Sequence, residues 1–426
     1  MQKRLMAVAV AGALAAPAAV MAQSTVQVYG NLYMEYAFTK QGRSTPTNAA
    51  GTNFADRVDA DIFQTGGSAI GFKGQEKLGG GMSAWFQCES TADPRGVSQN
   101  GWCGRNSAVG LKGGFGNFFV GNWDTPFKRA RVGNIGGRDT GVFGTAFLLY
   151  GNSTTTGDGA DAGVFARRQR NSINYDSPKF GGFQFMASTS TTNASTGLTS
   201  TAAEAKARVW SLGGAYAQGP LTIAAGYERH KNHYSNAVRG TGAISGLANG
   251  TTTFAVAKVD ATTAGDESGY HISAAYAFGN VKVGGTFTEQ EADTLAAAAA
   301  APSKVKVKAY HVGVEWKLSG PHNVHFGYTR ADDVKGLAGA QMAPVAGTSV
   351  GLRPTVPAAG TSSGADMWQV RYLHDFSKRT TGSLGYVSLK NDRGASYDLG
   401  GLNYGGNLQS SGAKQSAIAA SIQHRF

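Results

Sequence analysis

The chain has 426 residues and a formal net charge of +12, but only 15% of its residues are charged, which is low for a soluble protein of this size. Glycine is abundant, with 61 residues, whereas proline contributes only 11, and this balance suits many tight turns. No stretch beyond the N-terminus approaches the roughly 18 apolar residues of a membrane-spanning helix, and no composition break marks a linker. The composition therefore argues against a helical membrane protein and favours a single domain.

The N-terminal segment predicts an export signal over residues 1–22. Lys3 and Arg4 precede a short apolar run, which ends before small residues at the usual cleavage offsets. The run is too short for a confident membrane span, although an N-terminal anchor is the alternative. We expect a cleaved signal peptide, a mature chain that begins at Gln23 and one domain over residues 23–426.

The first segment of the mature chain alternates strictly between apolar and polar side chains. Val26, Val28 and Leu32 lie on one face of an extended strand, and Gln27 and Asn31 lie on the other. The same period of two recurs in segments that begin at Leu221, Tyr270, Tyr310 and Trp368. Alternation of this kind indicates strands with one face in lipid and one in water, although a soluble β-sandwich would also alternate.

Seven short, mostly glycine-rich connections predict hairpins between alternating segments. They fall at residues 78–81, 113–116, 178–182, 218–220, 278–280, 319–323 and 377–380. Seven hairpins give 14 strands, and the first strand and the last, which ends in Phe426, raise the number to 16. An even number places both termini on the same side of a barrel, so we predict an all-β fold: a 16-stranded antiparallel transmembrane β-barrel.

The remaining connections are long and polar. They lie near residues 40–60, 90–104, 122–166, 190–205, 231–266, 289–303, 331–365 and 391–414. Eight long loops that alternate with seven short turns are typical of bacterial outer-membrane barrels, in which the long loops are extracellular. Loops of this length argue against a compact soluble fold.

The chain contains two cysteines, Cys88 and Cys103, one at the end of a predicted strand and the other before the next. The periplasm is oxidising, so we expect them to form a disulfide across the second loop. A metal pair is less favoured because no cluster of histidine or aspartate accompanies them.

No motif for catalysis or for cofactor binding is evident, so we expect no enzyme activity, no cofactor and no catalytic, cofactor-binding or metal site. His230 and His233, in the fifth long loop, could be a metal pair, but without a third ligand they are better explained as polar surface residues. Some outer-membrane barrels are hydrolases, and the scattered serines, histidines and aspartates leave that alternative open.

Several motifs, in this order, resemble the general, non-specific porins of Gram-negative bacteria, most closely those of β-proteobacteria. They are residues 69–74, 78–81, 105–116, 120–122, 126–127 and 170–175, together with the terminal Phe426. The resemblance implies a homotrimer of 16-stranded barrels in the outer membrane, with the third loop, residues 122–166, folded into each lumen. It also implies that Phe426 closes the barrel and that the barrel-assembly machinery is a partner.

In this family, acidic residues on the third loop face basic residues on the barrel wall, and the resulting field sorts solutes by charge. We therefore expect the pore constriction to contain Arg105, Asp124, Arg138, Asp139, Arg168 and Arg170. Alternation back from Asn174 places Arg168 and Arg170 on the water face. Ala69, Asn122 and Asn31 stand where many relatives have a basic residue, so the wall field should be weaker, and bases of the third loop could compensate.

The predicted function is passive diffusion of small hydrophilic solutes and ions, with a mild preference for anions and without contact to nucleic acid. Lys306 and Lys308 lie on the lipid-facing side at the extracellular end of their strand, so we expect them to contact lipopolysaccharide phosphates. A loop extension without such a contact is the alternative. The competing functions are a substrate-selective outer-membrane channel and, from another class, a barrel adhesin or hydrolase.

Overall fold

The computed structural model describes residues 25–43, 58–96, 101–150, 165–191, 208–235, 264–294, 303–336, 362–395, 397–399 and 412–426. Within these ranges the chain forms one antiparallel sheet of seventeen strand segments, which closes because the first strand pairs with the last. The segments are β1 Thr25–Gln41, β2 Val58–Gln64, β3 Ala69–Gly79, β4 Met82–Thr91, β5 Ser107–Gly113, β6 Gly116–Asp124, β7 Arg168–Asp176, β8 Phe183–Ser190, β9 Arg208–Gln218, β10 Leu221–Ser235, β11 Ala264–Phe278, β12 Val281–Thr294, β13 Ser303–Lys317, β14 His322–Ala331, β15 Ala365–Asp375, β16 Thr380–Asn391 and β17 Lys414–Arg425.

Two of the segments, β2 and β3, form a single interrupted barrel strand. Both pair with β1, β2 with its second half and β3 with its first. At the interruption, the Ser68 hydroxyl accepts a hydrogen bond from the Tyr33 amide at 2.8 Å and donates one to the Tyr33 carbonyl at 3.0 Å. The side chain thus replaces the missing ladder bonds, and the barrel has sixteen strands, which confirms the predicted fold class.

The barrel closes between β1 and β17, which pair from Asn31 opposite Arg425 to Gln41 opposite Gln415. The terminal Phe426 extends this ladder, because its backbone exchanges two hydrogen bonds of 3.1 Å with Gly30. Neither end of the sheet is left as an unpaired edge at this seam, as a closed barrel in lipid requires.

The two faces of each strand differ as the alternation predicts. On β1, Val26 is 62% exposed and points outward, whereas Glu35 and Ala37 point into the lumen and are fully buried. The apolar outer face suits a lipid environment, and the inner face carries small and polar residues. Neither of the two short helices in the described part of the chain is long and apolar enough to span a membrane.

The core of the molecule lies inside the barrel, where the third loop packs against the inner wall. This loop contains two short helices, α1 Pro126–Arg129 and α2 Ala146–Tyr150. The apolar side chains of the loop are buried against apolar lumen-facing residues of β13–β17, together with part of the eighth loop. The cluster includes Val142, Phe143, Leu148, Leu149, Tyr397 and Leu399 from the loops and Ala309, Ala331, Met367, Leu389 and Ala419 from the wall.

Candidate functional site: the lumen constriction

The third loop is fixed to the wall by hydrogen bonds between its backbone and lumen-facing side chains. The wall groups that hold it are Ser211 to Phe127 N, His271 to Phe127 O, Ser273 to Val132 N, His311 to Ile135 O, Arg371 to Gly137 O, Glu35 to Val142 N, Gln369 to Phe143 O and Gln290 to Leu149 O, all at 2.8–3.2 Å. These side chains lie on strands from β9 to β15 and on β1. They satisfy backbone groups that a loop cannot pair internally, which defines where the loop lies.

Two close backbone approaches show how tightly the loop is seated. A Cβ atom at Gly313 of β13 would lie 1.7 Å from the Ile135 carbonyl oxygen, and one at Gly136 would lie 1.9 Å from the Phe326 carbonyl oxygen. Gly136 also has a φ of +76°, which favours glycine. Only glycine at these two positions lets the loop lie directly on the wall.

On the opposite side, the loop leaves a charged cavity of about 500 Å³ between itself and the wall. Six basic and two acidic residues line it, namely Arg105, Lys128, Arg131, Arg138, Arg168 and Arg425 against Asp124 and Asp139. Because it lies beside the inward-folded loop, inside a closed barrel, this cavity is the candidate constriction of the passage. Five of the six residues predicted for the constriction therefore meet at this cavity.

The two acidic residues are shared among the bases. Asp124 accepts a hydrogen bond from the Lys128 ammonium at 2.8 Å and lies 3.5 Å from the Arg168 guanidinium. Asp139 contacts Arg131 at 3.4 Å. Arg105 is paired with Glu89 of the wall at 2.7 Å. The cavity therefore retains an excess of positive charge.

Arg138 has no carboxylate partner among the described ion pairs. Its guanidinium carbon lies 3.8 Å from the centre of the Tyr33 ring, in a cation–π contact, and its buried Nε makes no hydrogen bond with the part of the chain that the structure describes. A buried donor without an acceptor is costly unless a ligand supplies one.

Burial affects the titrating groups of the loop. It lowers the pKa of Lys128, an effect that the adjacent Asp124 opposes. It raises the pKa of the Tyr150 hydroxyl, which is opposed by the nearby Arg131 guanidinium. Tyr150 is therefore neutral at physiological pH, so the charge of the loop face comes from its lysine, arginines and aspartates.

The third loop supplies both kinds of charge to the cavity, namely the acids Asp124 and Asp139 and the bases Lys128, Arg131 and Arg138. Bases of this loop are the ones expected to offset the basic residues that are missing from the wall. The wall also supplies Arg425, which the sequence analysis missed. Strict alternation in the last strand could have found it, because Ile422 points outward and is 54% exposed, so Arg425 falls on the lumen side.

The placement of Arg170 on the water face rested on an alternation that the structure interrupts. The pairing of β6 with β7 shifts register between Gly121 and Trp123, and Asn171 has a φ of +50°. A β-bulge of this kind inserts one residue and breaks the alternation around Asn171, although Arg168 still lines the cavity. Gln169 is consequently buried together with Ser172, and Arg170 is not among the described residues that line the cavity.

The histidine prediction was wrong for His230, which is neither on a loop nor on the surface. It lies in β10 and is fully buried in the lumen, with its ring nitrogens 2.8 Å from Glu228 and 3.1 Å from Glu267. The ring also stacks on Phe165 at the end of the third loop. Within the described residues, no group of three or more histidine, cysteine, aspartate or glutamate side chains is arranged to hold a metal ion.

The two cysteines are joined in the structure, with Cα atoms 4.7 Å apart. The bond fastens the second loop to the outer wall, where the Trp102 ring stacks on Phe72 at 6.2 Å.

The lysines predicted to contact lipopolysaccharide also lie on the outer face, but they are ion-paired. Lys306 is 3.1 Å from Glu291, and Lys308 is 3.4 Å from Glu289 on the neighbouring strand. These pairings depend on the register between two strands, which the sequence does not reveal.

A closed sixteen-stranded barrel with an apolar outer face and a charged loop inside its lumen defines a transmembrane β-barrel channel. A model of the Gram-negative porin family matches residues 7–394, so the chain belongs to this family and is located in the outer membrane. This result confirms the family, the location and the kind of channel that the sequence motifs predicted.

Individual relatives support this conclusion to different extents. Outer membrane porin protein 32 of Delftia acidovorans is 26% identical over 438 residues and covers the whole of both chains. The major outer membrane protein P.IB of Neisseria gonorrhoeae is 39% identical over 119 residues, which is 28% of this chain and 30% of the relative. The chain thus matches less than a third of the length of that relative.

Solved structures share the fold at low sequence identity. An anion-selective porin from Comamonas acidovorans superposes with a TM-score of 0.64 at 22% identity, over 95% of this chain and 100% of that one. OmpT, an outer membrane protein of Vibrio cholerae, gives a TM-score of 0.60 at 14% identity, over 95% of this chain and 98% of that one. At these identities the likeness establishes the fold alone.

Proposed function

We propose that the protein is a passive diffusion channel for small hydrophilic solutes and ions, with a preference for anions. The observation that carries this proposal is the excess of six basic over two acidic residues around the constriction cavity. Fixed positive charge in a narrow, low-dielectric passage concentrates anions and depletes cations. The anion-selective porin from Comamonas acidovorans, which has a similar fold, supports a preference for anions.

Two features of the site support a channel over an enzyme. The charged groups are held by one another and by the loop backbone, and they are not arranged as a nucleophile with an adjacent base. The cavity also opens within the lumen of the barrel, where solutes pass. Size exclusion by the seated loop and electrostatic sorting at the cavity are then the mechanism, and neither requires a cofactor.

The test is the zero-current potential of the purified protein in planar bilayers under a tenfold salt gradient. The sign of this potential is expected to show a higher permeability for anions than for cations. The opposite sign would contradict the proposed selectivity, and the absence of any step-like conductance would contradict the proposed channel.

We also propose that the protein assembles as a homotrimer, as the family resemblance implies. OmpT of Vibrio cholerae, which shares the fold, has been solved in a trimer form, and this supports the proposal. Unheated, detergent-extracted protein should migrate on native gels near three times the mass of the monomer. Channel activity from a species that migrates only as a monomer would refute this.

The remaining proposals concern the ends and the outer face of the barrel. Residues 1–22 lie outside the described residues, and N-terminal sequencing of protein from the outer membrane should begin at Gln23. Phe426 should be required for efficient assembly by the barrel-assembly machinery, which a Phe426→Ala variant would test through its yield in the outer membrane.

Lys306 and Lys308 are proposed to contact lipopolysaccharide phosphates despite their ion pairs, since about half of each side chain remains exposed. Changing both residues to glutamine should reduce the lipopolysaccharide that copurifies and leave the conductance unchanged. Equal retention of lipopolysaccharide by the variant would remove these residues from the proposed contact.

A further inference from the structure

Basic residues continue beyond the constriction cavity along one sector of the lumen. Arg425 of β17, Lys73 and Lys77 of β3, and Lys112 of β5 lie on neighbouring parts of the wall, below the sector that bears Arg105. They extend toward the end of the barrel that carries the short turns, which is the periplasmic end of outer-membrane barrels.

Alternation places all four side chains on the lumen face. Along β3, Ile70 and Leu78 are exposed on the outer face, so the odd-numbered Lys73 and Lys77 point inward. Along β5, Leu111 points outward and is 45% exposed, which turns Lys112 toward the lumen. Arg425 already lines the constriction cavity.

The four residues occupy three levels along the direction of transport, because Lys77 and Lys112 lie opposite the same residue, Ser83. Arg425 pairs with Asn31, which in turn pairs with Ala69, so these residues lie at one level of the barrel. Lys73 follows four residues below Ala69 on β3, and Lys77 follows four residues further. At roughly 3.3 Å per residue, each step is about 13 Å along the strand.

The residues directly opposite three of these bases on the adjacent strands are neutral, although Lys73 also lies over the ring of Tyr29, whose hydroxyl donates to Glu89. Lys73 lies opposite Gln27 and Gln87 on the adjacent strands, and both Lys77 and Lys112 lie opposite Ser83. None of the four bases forms an ion pair with a residue that the structure describes.

The carboxylate on the lumen face nearest to Lys112 along the wall is that of Asp176. Asp176 lies on β7 opposite Asn117, which in turn is opposite Lys112. It already binds both terminal nitrogens of Arg129 at 2.8 Å. Asp176 is therefore already neutralised by Arg129, and Glu89, the lumen carboxylate on the strand beside Lys73, is already paired with Arg105.

We propose that Arg425, Lys73, Lys77 and Lys112 form a basic track that guides anions between the constriction and the periplasmic mouth. The track favours multivalent oxyanions, such as sulfate, phosphate and dicarboxylates, over chloride. This inference rests on the anion transport proposed above and extends it to residues outside the constriction. Its basis is the uncompensated charge at regular intervals along one wall.

The expected effect depends strongly on salt, because Lys73, Lys77 and Arg425 are exposed and mobile ions screen exposed charges. One charge about 8 Å from the path of a chloride ion enriches that ion about 1.5-fold when the Debye length is about 10 Å, at 0.1 M salt. At 1 M salt the Debye length is about 3 Å, and the enrichment nearly vanishes. For a divalent anion the enrichment factor is squared, because its energy in the same potential is doubled.

The experiment compares the wild type with a variant that carries Lys73→Gln, Lys77→Gln and Lys112→Gln, in planar bilayers with potassium chloride or potassium sulfate. At a matched ionic strength of 0.1 M, the unitary conductance of the variant should fall about twofold in chloride and about fourfold in sulfate. At 1 M salt both conductances should remain close to those of the wild type. A matched control removes three outward-facing lysines, through Lys304→Gln, Lys306→Gln and Lys308→Gln.

The outcomes separate this inference from the proposed function. If the wild type prefers anions and the triple variant keeps the wild-type conductance at 0.1 M salt in both electrolytes, the track is refuted and the constriction stands. If the wild type shows no anion preference, the proposed function fails first. An equal loss at 0.1 M and 1 M salt would indicate altered pore geometry and would also refute the electrostatic track. The same loss of conductance in the control variant would show that the effect does not depend on charges that face the lumen, and it would also refute the track.

Discussion

The selectivity of the constriction can be tested on its two wall arginines. We consider the double variant Arg105→Ser and Arg168→Ser, which removes two positive charges from the cavity without changing the third loop. Arg168 donates from its Nε to the Asn106 side chain at 2.8 Å, and Arg105 pairs with Glu89. The substitution also leaves the Glu89 carboxylate without its guanidinium, which adds to the shift toward cations.

The magnitude follows from the size of the cavity. A volume of about 500 Å³ corresponds to a sphere with a radius of about 5 Å, so an ion at its centre lies roughly 5–8 Å from the charges that line it. At an effective dielectric constant of 20, one charge at 8 Å is worth about 2 kcal/mol before screening. Screening at 0.1 M salt reduces this to about 1 kcal/mol, or roughly fivefold for each arginine.

The assay is the ratio of anion to cation permeability, obtained from the zero-current potential of single channels in a salt gradient. The double variant should lower this ratio by about tenfold or more at 0.1 M salt. The unitary conductance should rise slightly, because serine is smaller than arginine. At 1 M salt the wild-type ratio should fall toward that of the double variant, because screening weakens every fixed charge.

A control variant, Arg208→Ser, removes an arginine from the outer face of β9. Its guanidinium lies 5.6 Å from the Trp210 ring, which is exposed on that face. The control should retain the wild-type zero-current potential. The reasoning would be falsified if the double variant also retained it, since the two arginines would then not act on the permeating ions.

Three further predictions concern the loops. Gly313→Ala should displace the third loop, and it should raise the conductance and the current noise while the barrel stays folded. The control Gly214→Ala, where a Cβ atom makes only ordinary contacts, should change neither quantity. Equal currents from the two variants would contradict the close contact of the loop with the wall. Cys88 and Cys103 should appear as one linked pair in mass spectra of unreduced peptides, and Cys88→Ser should cost at most about 3 kcal/mol in free energy of unfolding; two free thiols in folded protein would end this. Burial raises the pKa of Asp398 in the eighth loop to about 8, so its stabilising contribution is complete below its ordinary pKa and is lost as pH rises through 8. Hydrogen exchange around it should accelerate at pH 9 relative to an Asp398→Asn variant at the same pH, and equal rates would contradict the burial.

The alternation of apolar and polar residues predicted most of the fold. A period of two is a local property that depends only on one face of each strand meeting lipid, so it survives in a single sequence. The count of seven short turns and eight long loops was also sufficient for sixteen strands. The interruption between β2 and β3 was not predicted, because it depends on how the Ser68 side chain meets the backbone of Tyr33 on the neighbouring strand.

The alternation fails where one strand carries an extra residue relative to its partner. The bulge near Asn171 changes which residues of β7 face the lumen, and the sequence of β7 alone gives no sign of it. The burial of His230 was missed for a different reason. Its strand continues beyond the expected end, to Ser235, and its surroundings include Phe165 from a distant loop.

The sequence by itself determined that the chain alternates, how often it turns and that its loops carry an excess of basic residues, because each of these is a property of neighbouring residues. The tertiary structure decided which of those charges meet at one cavity. The third loop reaches Glu35 on β1 and His311 on β13 through its backbone, and backbone hydrogen bonds leave no pattern in the side chains that form the loop. The path of the loop is therefore set by contacts between residues far apart in the chain, and so is the sign of the net charge at the constriction.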